Sequence, residues 1–171
     1  MDAIEQIGRL WEFDPDGRMV PTDRERLEHA TARGLERWDA LDWGSRRTVA
    51  VGAMILGDHD RARRLLRGLA DQADGDARRV AVLVNLADAH RLDGDVAGAE
   101  APMREALALA EGLSRRLWAF AAQHWGKFLI DAGRPEEAVK VLEEVLRVRR
   151  GEGEADLVAS TELALAVARK R

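Results

Sequence analysis

Apolar residues recur along this chain at helical spacing, in long runs separated by short polar breaks. Three stretches share one register: Arg46-x-x-Val49-Ala50-x-x-Ala53, Leu83-x-x-Leu86-Ala87-x-x-His90 and Ala122-x-x-Trp125-Gly126-x-x-Leu129. Each puts large and small residues on one face of a helix. Each is followed by a Gly-centred break, LGDHD (56–60), LDGDV (92–96) or DAGRP (131–135). Gly57, Gly94 and Gly133 suit the left-handed position that stops a helix. Asp60 and Asp95 suit the cap of the next helix, and Pro135 its first turn, followed by Glu136 and Glu137 at the positive end of the dipole. After the breaks come Ala62-x-x-x-Leu66, Ala99-x-x-x-Met103 and Ala138-x-x-x-Leu142. Each break therefore predicts an antiparallel helix pair whose small residues let the helices approach closely. Val is frequent but sits among Ala, Leu, Arg and Glu at helical spacing, so no strand is expected.

The ends are less regular. The pattern predicts a short helix over 3–11, a loop over 13–22 and a helix over 23–41 with Leu27, Ala30, Leu35, Trp38 and Leu41 on its apolar face. A final helix is expected over 154–169, closing in Arg169, Lys170 and Arg171 as suits a helix C-terminus and a polar end cap. Pro102 falls inside the helix expected over 96–111, where it lacks a donor for the Gly98 carbonyl and predicts a local kink.

Composition narrows the function classes. The 171 residues suffice for one domain with a sizeable core, and a net charge of −4 offers no basic field for nucleic acid. Cys is absent, which excludes disulfides, thiolate nucleophiles and Cys-ligated zinc. The longest apolar run, Val80 to Val84, is too short to span a membrane, and the start has no signal-length apolar core. A cytoplasmic chain is expected. The excess of Arg over Lys, with abundant Ala, Gly and Leu, reads as the coding bias of a high-GC bacterium.

The breaks repeat at 37 residues (Gly57 to Gly94) and 39 (Gly94 to Gly133), the period of a helical solenoid. Spacing and register together resemble the tetratricopeptide repeat, with its large-x-x-Leu-Gly-x-x-Tyr followed by Ala-x-x-x-Phe. Ala53, His90 and Leu129 stand where that family keeps Tyr, and the closing Pro is missing. The period exceeds the usual 34, as in longer-helix variants of bacterial regulators and kinesin light chains. The resemblance implies an all-α solenoid of about nine helices in a right-handed superhelix. Its parts would be an N-terminal cap or degenerate repeat (1–42), three repeats (43–79, 80–118, 119–153) and a capping helix (154–171).

In this family the first helix of each pair lines the concave side. Carried over, that implies Arg47, Val51 and Met54, then Val84, Asp88 and Arg91, then Gln123, Lys127 and Ile130, with Asn85 and His124 on the edge. The expected peptide-binding groove is thus Arg47, Asn85, Asp88, Arg91, Gln123, His124 and Lys127, holding an extended segment by hydrogen bonds and charge pairs. Chaperone-binding members clamp a C-terminal carboxylate with Lys, Asn, Asn, Lys and Arg. The matching positions here are Arg47, Val51, Asn85, Phe120 and His124, and Val51 and Phe120 break that clamp.

Other constellations have plainer readings. His124, Lys127 and Asp131 share a helix face, as an acid–base site would require, but they coincide with lining positions of a repeat, and no Ser or Cys nucleophile accompanies them. His90 reads as a core histidine with one hydrogen bond. No His-x-x-x-His or Glu-x-x-His pair exists, so no metal or cofactor is expected. Asp14, Asp16 and Glu25 have calcium-loop spacing, yet Arg18 and Met19 stand where a ligand and the turn glycine belong, so the stretch reads as a turn. Of the five Trp, Trp125 fills a core slot. Trp11, Trp38 and Trp43 are expected to close the N-terminal end of the core, and either Trp118 or Phe120 to face outward or into the groove. The function expected is a non-catalytic module binding a protein or peptide. A self-associating scaffold or regulatory subunit is the alternative, and an enzyme on this scaffold a third reading.

Overall fold

A computed structural model describes residues 3–171, so the first two residues of the N-terminal segment lie outside the described residues. The described chain forms nine α-helices and one two-stranded sheet. The helices are α1 (Ala3–Ile7), α2 (Arg24–Glu36), α3 (Trp43–Ile55), α4 (His59–Asp71), α5 (Asp76–Leu92), α6 (Val96–Glu111), α7 (Arg115–Asp131), α8 (Pro135–Glu152) and α9 (Ala155–Ala168). From α3 onward consecutive helices pack as antiparallel neighbours, with a short 3-10 turn at Trp38–Ala40 before them.

The turns between paired helices follow from their glycines. Gly57, Gly94 and Gly133 take φ of 89°, 81° and 72°, where a Cβ would strain the backbone. Pro135 opens α8, and Asp95 caps α6 through the Gly98 N–H at 2.9 Å. The cap of α4 is Asp58 rather than Asp60: Asp58 accepts from the Arg61 N–H, and Asp60 sits in the first turn, where it pairs with Arg63. Cap geometry requires the last non-helical residue, and α4 starts two residues earlier than the Asp60 cap assumes. The helix α6 continues through Pro102 to Glu111.

Close approach is what the small residues provide. Ala50, Ala87, Ala62, Ala99 and Ala138 are fully buried. At Gly126 a Cβ would lie 2.7 Å from Leu142, so α7 and α8 touch where neither has room for another methyl. Large side chains fill the remaining space. Trp125 stacks on Phe128 at 4.9 Å within a core spanning α5 to α9, while Leu66, Leu69 and Val82 centre a second core over α3 to α5.

Residues 11–21 depart from the expected loop. Trp11–Phe13 (β1) pairs antiparallel with Met19–Pro21 (β2), in the register Trp11↔Pro21, Glu12↔Val20 and Phe13↔Met19. Asp14 builds the turn, its carboxylate accepting from the Asp16 and Arg18 N–H groups, and Gly17 takes φ of 74°. The Thr22 N–H donating to the Leu10 carbonyl closes the base of the hairpin. Strands of three residues carry too few alternations to register as strands in a sequence. The helix expected over 3–11 stops at Ile7 for the same reason: Trp11 to Phe13 belong to the sheet.

Candidate functional site

The first helices of the pairs, α3, α5 and α7, carry the expected groove residues; Arg91, His124 and Lys127 gather around one buried carboxylate, while Arg47 pairs with Asn85 and Gln123 with Arg149 and Ser160. Asp88 is fully buried in the middle of α5. Arg91, one turn on, donates from Nε to Asp88 Oδ1 at 3.2 Å and from Nη1 to Asp131 Oδ2 at 2.6 Å. From α7, His124 Nδ1 stands 2.7 Å from Asp88 Oδ2 in ion-pair contact, without the angles of a hydrogen bond. Burial pushes the Asp88 carboxyl up, but the charges of His124, Arg91 and Lys127 outweigh it and hold the group below the usual carboxylate range. Burial dominates the other way at His124, which stays below its ordinary value despite Asp88.

Lys127 is the cation of this cluster without a carboxylate in contact. It is 9% exposed, and its Nζ lies 4.3 Å from the centroid of the Phe13 ring. Burial pulls its pKa down to about 8, with Asp88 opposing and Arg91 adding to the fall. His124, Lys127 and Asp131 therefore do not converge as a catalytic trio. Each answers to a different neighbour, Asp88, Phe13 and Arg91 respectively.

Phe13 belongs to the hairpin, and this is the feature the sequence does not announce. Trp11, Phe13 and Met19 form one wall of a cavity of about 420 Å³ whose other wall includes Arg47, Asn85, Gln123, His124 and Phe120. At the hairpin tip, Asp16, Gly17 and Arg18 share a narrow cleft with Arg91, Lys127 and Asp131 and with Val167 of α9. The hairpin thus lies against the face that α3, α5 and α7 present. Phe120 turns to this cavity, its ring 5.0 Å from that of His124, while Trp118 packs into the core beside Val145. Of the N-terminal tryptophans, Trp38 packs on the core and Trp43 donates to the Leu69 carbonyl at 3.1 Å, but Trp11 also faces the cavity.

Arg149 of α8 also belongs to this region. It follows Leu142, Val145 and Leu146 on the apolar phase of α8, the one signal that marks it as buried. It bonds to Gln123, to Thr161 at 2.7 Å and to the Leu157 carbonyl at 2.9 Å, tying α7 and α9 to α8. Gln123 in turn donates to Ser160 at 3.0 Å. His90 has two partners rather than one, Asp95 at 2.7 Å and Arg67 at 3.4 Å. No cluster of three metal-ligating side chains occurs among the described residues, and no helix there is long and apolar enough to cross a membrane.

A tetratricopeptide-repeat profile matches residues 79–113, which span the central pair α5 and α6. That stretch is similar to one tetratricopeptide repeat. Two solved structures from Podosopora anserina, both described as kinesin light chain with nearly identical TPR-like repeats, have the same fold. One has a TM-score of 0.58 at 20% identity, covering 86% of this chain and 76% of the other. The second has a TM-score of 0.52 at 18% identity, covering 86% of each. No curated protein matches the sequence. Tetratricopeptide-repeat proteins typically present non-catalytic surfaces for protein–protein interaction.

Proposed function

We propose that this tetratricopeptide-repeat chain is a non-catalytic interaction module that takes an extended partner segment on its concave face, and that its own β-hairpin covers the face until such a segment arrives. One observation carries the reading: the face of α3, α5 and α7 already has an extended piece of chain against it, with Phe13 on Lys127. A partner with an aromatic side chain offers the same contact. Arg47, Asn85, Gln123 and His124 supply hydrogen bonds around it. Asp88 and Arg91 lie beneath and set the local charge. No exposed apolar face favours self-association, since Leu113 is the one large hydrophobic side chain that stands out among the described residues.

A peptide library panned against the full chain tests this. Selected peptides are expected to bind Phe13→Ala at least tenfold more tightly than wild type, to lose binding on Phe120→Asp, and to raise hydrogen exchange at residues 11–21. Equal binding to all three proteins, with exchange at 11–21 unchanged, overturns the reading.

A further inference from the structure

The cavity beneath the hairpin holds more positive charge than its surroundings neutralise. Among the described residues Arg47 uses only Nη1, donating to the neutral Asn85 Oδ1 at 2.9 Å. Arg149 is 3% exposed and spends Nη1 on neutral oxygens of Gln123, Thr161 and Leu157. Among the described residues no carboxylate reaches ion-pair distance of either guanidinium. Burial lowers the pKa of both, and for Arg149 the more distant charges of Glu154 and Glu152 only partly offset it. The pattern is local. Arg91 sits between Asp88 and Asp131, and Arg63 between Asp60 and Asp93. A desolvated cation without a counter-charge is costly, and this cavity is lined by two. Its one carboxylate, Asp156, is exposed.

Beside the polar Thr48, Asn85, Gln123, His124 and Ser160, the lining has an apolar part that includes Trp11, Phe13, Met19, Phe120 and Leu157. A cavity of about 420 Å³ with apolar walls and a few converging polar groups has the size and make-up of a small-ligand site. It differs from the carboxylate clamp of chaperone-binding relatives: Val51 and Phe120 replace clamp donors with apolar wall, while Arg149 and the hairpin come from outside the clamp positions. We propose that the cavity binds a small amphipathic carboxylic acid, its carboxylate on the free N–H edge of Arg47 within the field of Arg149, and its apolar body between the hairpin and Phe120. This stands apart from the partner reading, because it requires the hairpin in place.

Calorimetric titration of the full chain tests it, with 4-phenylbutyrate as the probe and 4-phenylbutanol and acetate beside it. Expected is one saturable site for the acid, binding of the alcohol at least tenfold weaker, and none for acetate. Arg47→Gln is expected to weaken the acid about tenfold and leave the alcohol unchanged. Phe120→Ala, checked for native helicity by circular dichroism, is expected to weaken both acid and alcohol, so the proposal remains testable if Arg47→Gln fails to fold. Equal affinity for acid and alcohol, or an acid indifferent to Arg47→Gln or to Phe120→Ala, overturns it. So does binding of an acetylated peptide ending in a free Phe carboxylate when 4-phenylbutyrate does not bind, since the site then takes chain ends.

Discussion

The helix pairs α3 to α8 and the segment that precedes them meet at the face of α3, α5 and α7 but are held there by different physics. The pairs are held by close approach, with Ala50, Ala87 and Gly126 facing Ala62, Ala99 and Ala138 and leaving no space to spare. The preceding segment is held by large side chains and turn chemistry, with Trp11 edge-on to Phe13 at 5.3 Å, Phe13 over Lys127, and Asp14 fastening the turn. Where they meet lies a buried charge cluster that α5 and α7 contribute and Phe13 of the hairpin helps to cover. Tight small-residue packing tolerates no added atom, whereas a contact made by one aromatic ring can be lifted off without disturbing what lies below.

The largest effect expected is at the meeting point. Asp88→Ala removes the carboxylate that Arg91 and His124 contact and whose charge supports Lys127, and is expected to cost roughly 3–5 kcal/mol of unfolding free energy by urea titration. A loss below about 1 kcal/mol means that water reaches the cluster. Next comes a sign test of close packing. Gly→Ala within a helix ordinarily stabilises by about 0.5–1 kcal/mol, and Gly68, with nothing within 4 Å of its missing Cβ, is expected to follow that rule. Gly126→Ala is expected to destabilise by roughly 1–3 kcal/mol, because the new methyl meets Leu142. The same sign at both glycines would dissolve the distinction between open and filled helix faces.

The pH dependence of Lys127 follows. Its folded pKa of about 8 lies below its ordinary 10.5, so the unfolded chain binds the extra proton between those values. The penalty for charging this buried amine is fully present below about pH 8 and is relieved as pH rises toward 10.5. Melting of wild type relative to Lys127→Met, compared at pH 7.5 and pH 9.5, is expected to show wild type gaining on the variant at the higher pH. The gain is about 1.4 kcal/mol for each pH unit over which the two states differ by a full proton. No relative gain means that the amine is solvated. The smallest global effect belongs to Phe13→Ala, about 1 kcal/mol for the lost ring contacts, with faster hydrogen exchange confined to residues 11–21. Exchange spreading into α5 and α7 would mean that the hairpin is a structural member of the core.

These outcomes bear on what was legible in the sequence. The helix pairs were, because Gly57, Gly94 and Gly133 and the large–small register are local signals repeated three times. The Asp60 cap was off by two residues because Asp58 and Asp60 both flank the turn. The hairpin was not legible. Asp14 and Gly17 announce a turn, but the pairing of Phe13 with Met19 and of Leu10 with Thr22 carries no periodic signature. The groove residues were named from the resemblance, carried over onto the first helix of each pair. That Asp88 and Lys127 lie buried was not, because periodicity says which residues share a face and is silent on what covers it. Arg149 was marked by its apolar phase in α8 but reads as an ordinary surface arginine until α9 is packed against it.

The hairpin tip and α9 stand on opposite sides of one narrow cleft, although they lie at opposite ends of the chain. During synthesis the hairpin emerges first and its seat is completed last. Trp11 packs on the core of α1 to α3, but Phe13 has no Lys127 to dock on while α3 to α6 assemble. A nascent chain leaves the ribosome with Phe13 uncovered until α7 is made, so the interval in which this ring is most exposed to chaperones and to aggregation is set by the time needed to translate roughly a hundred residues.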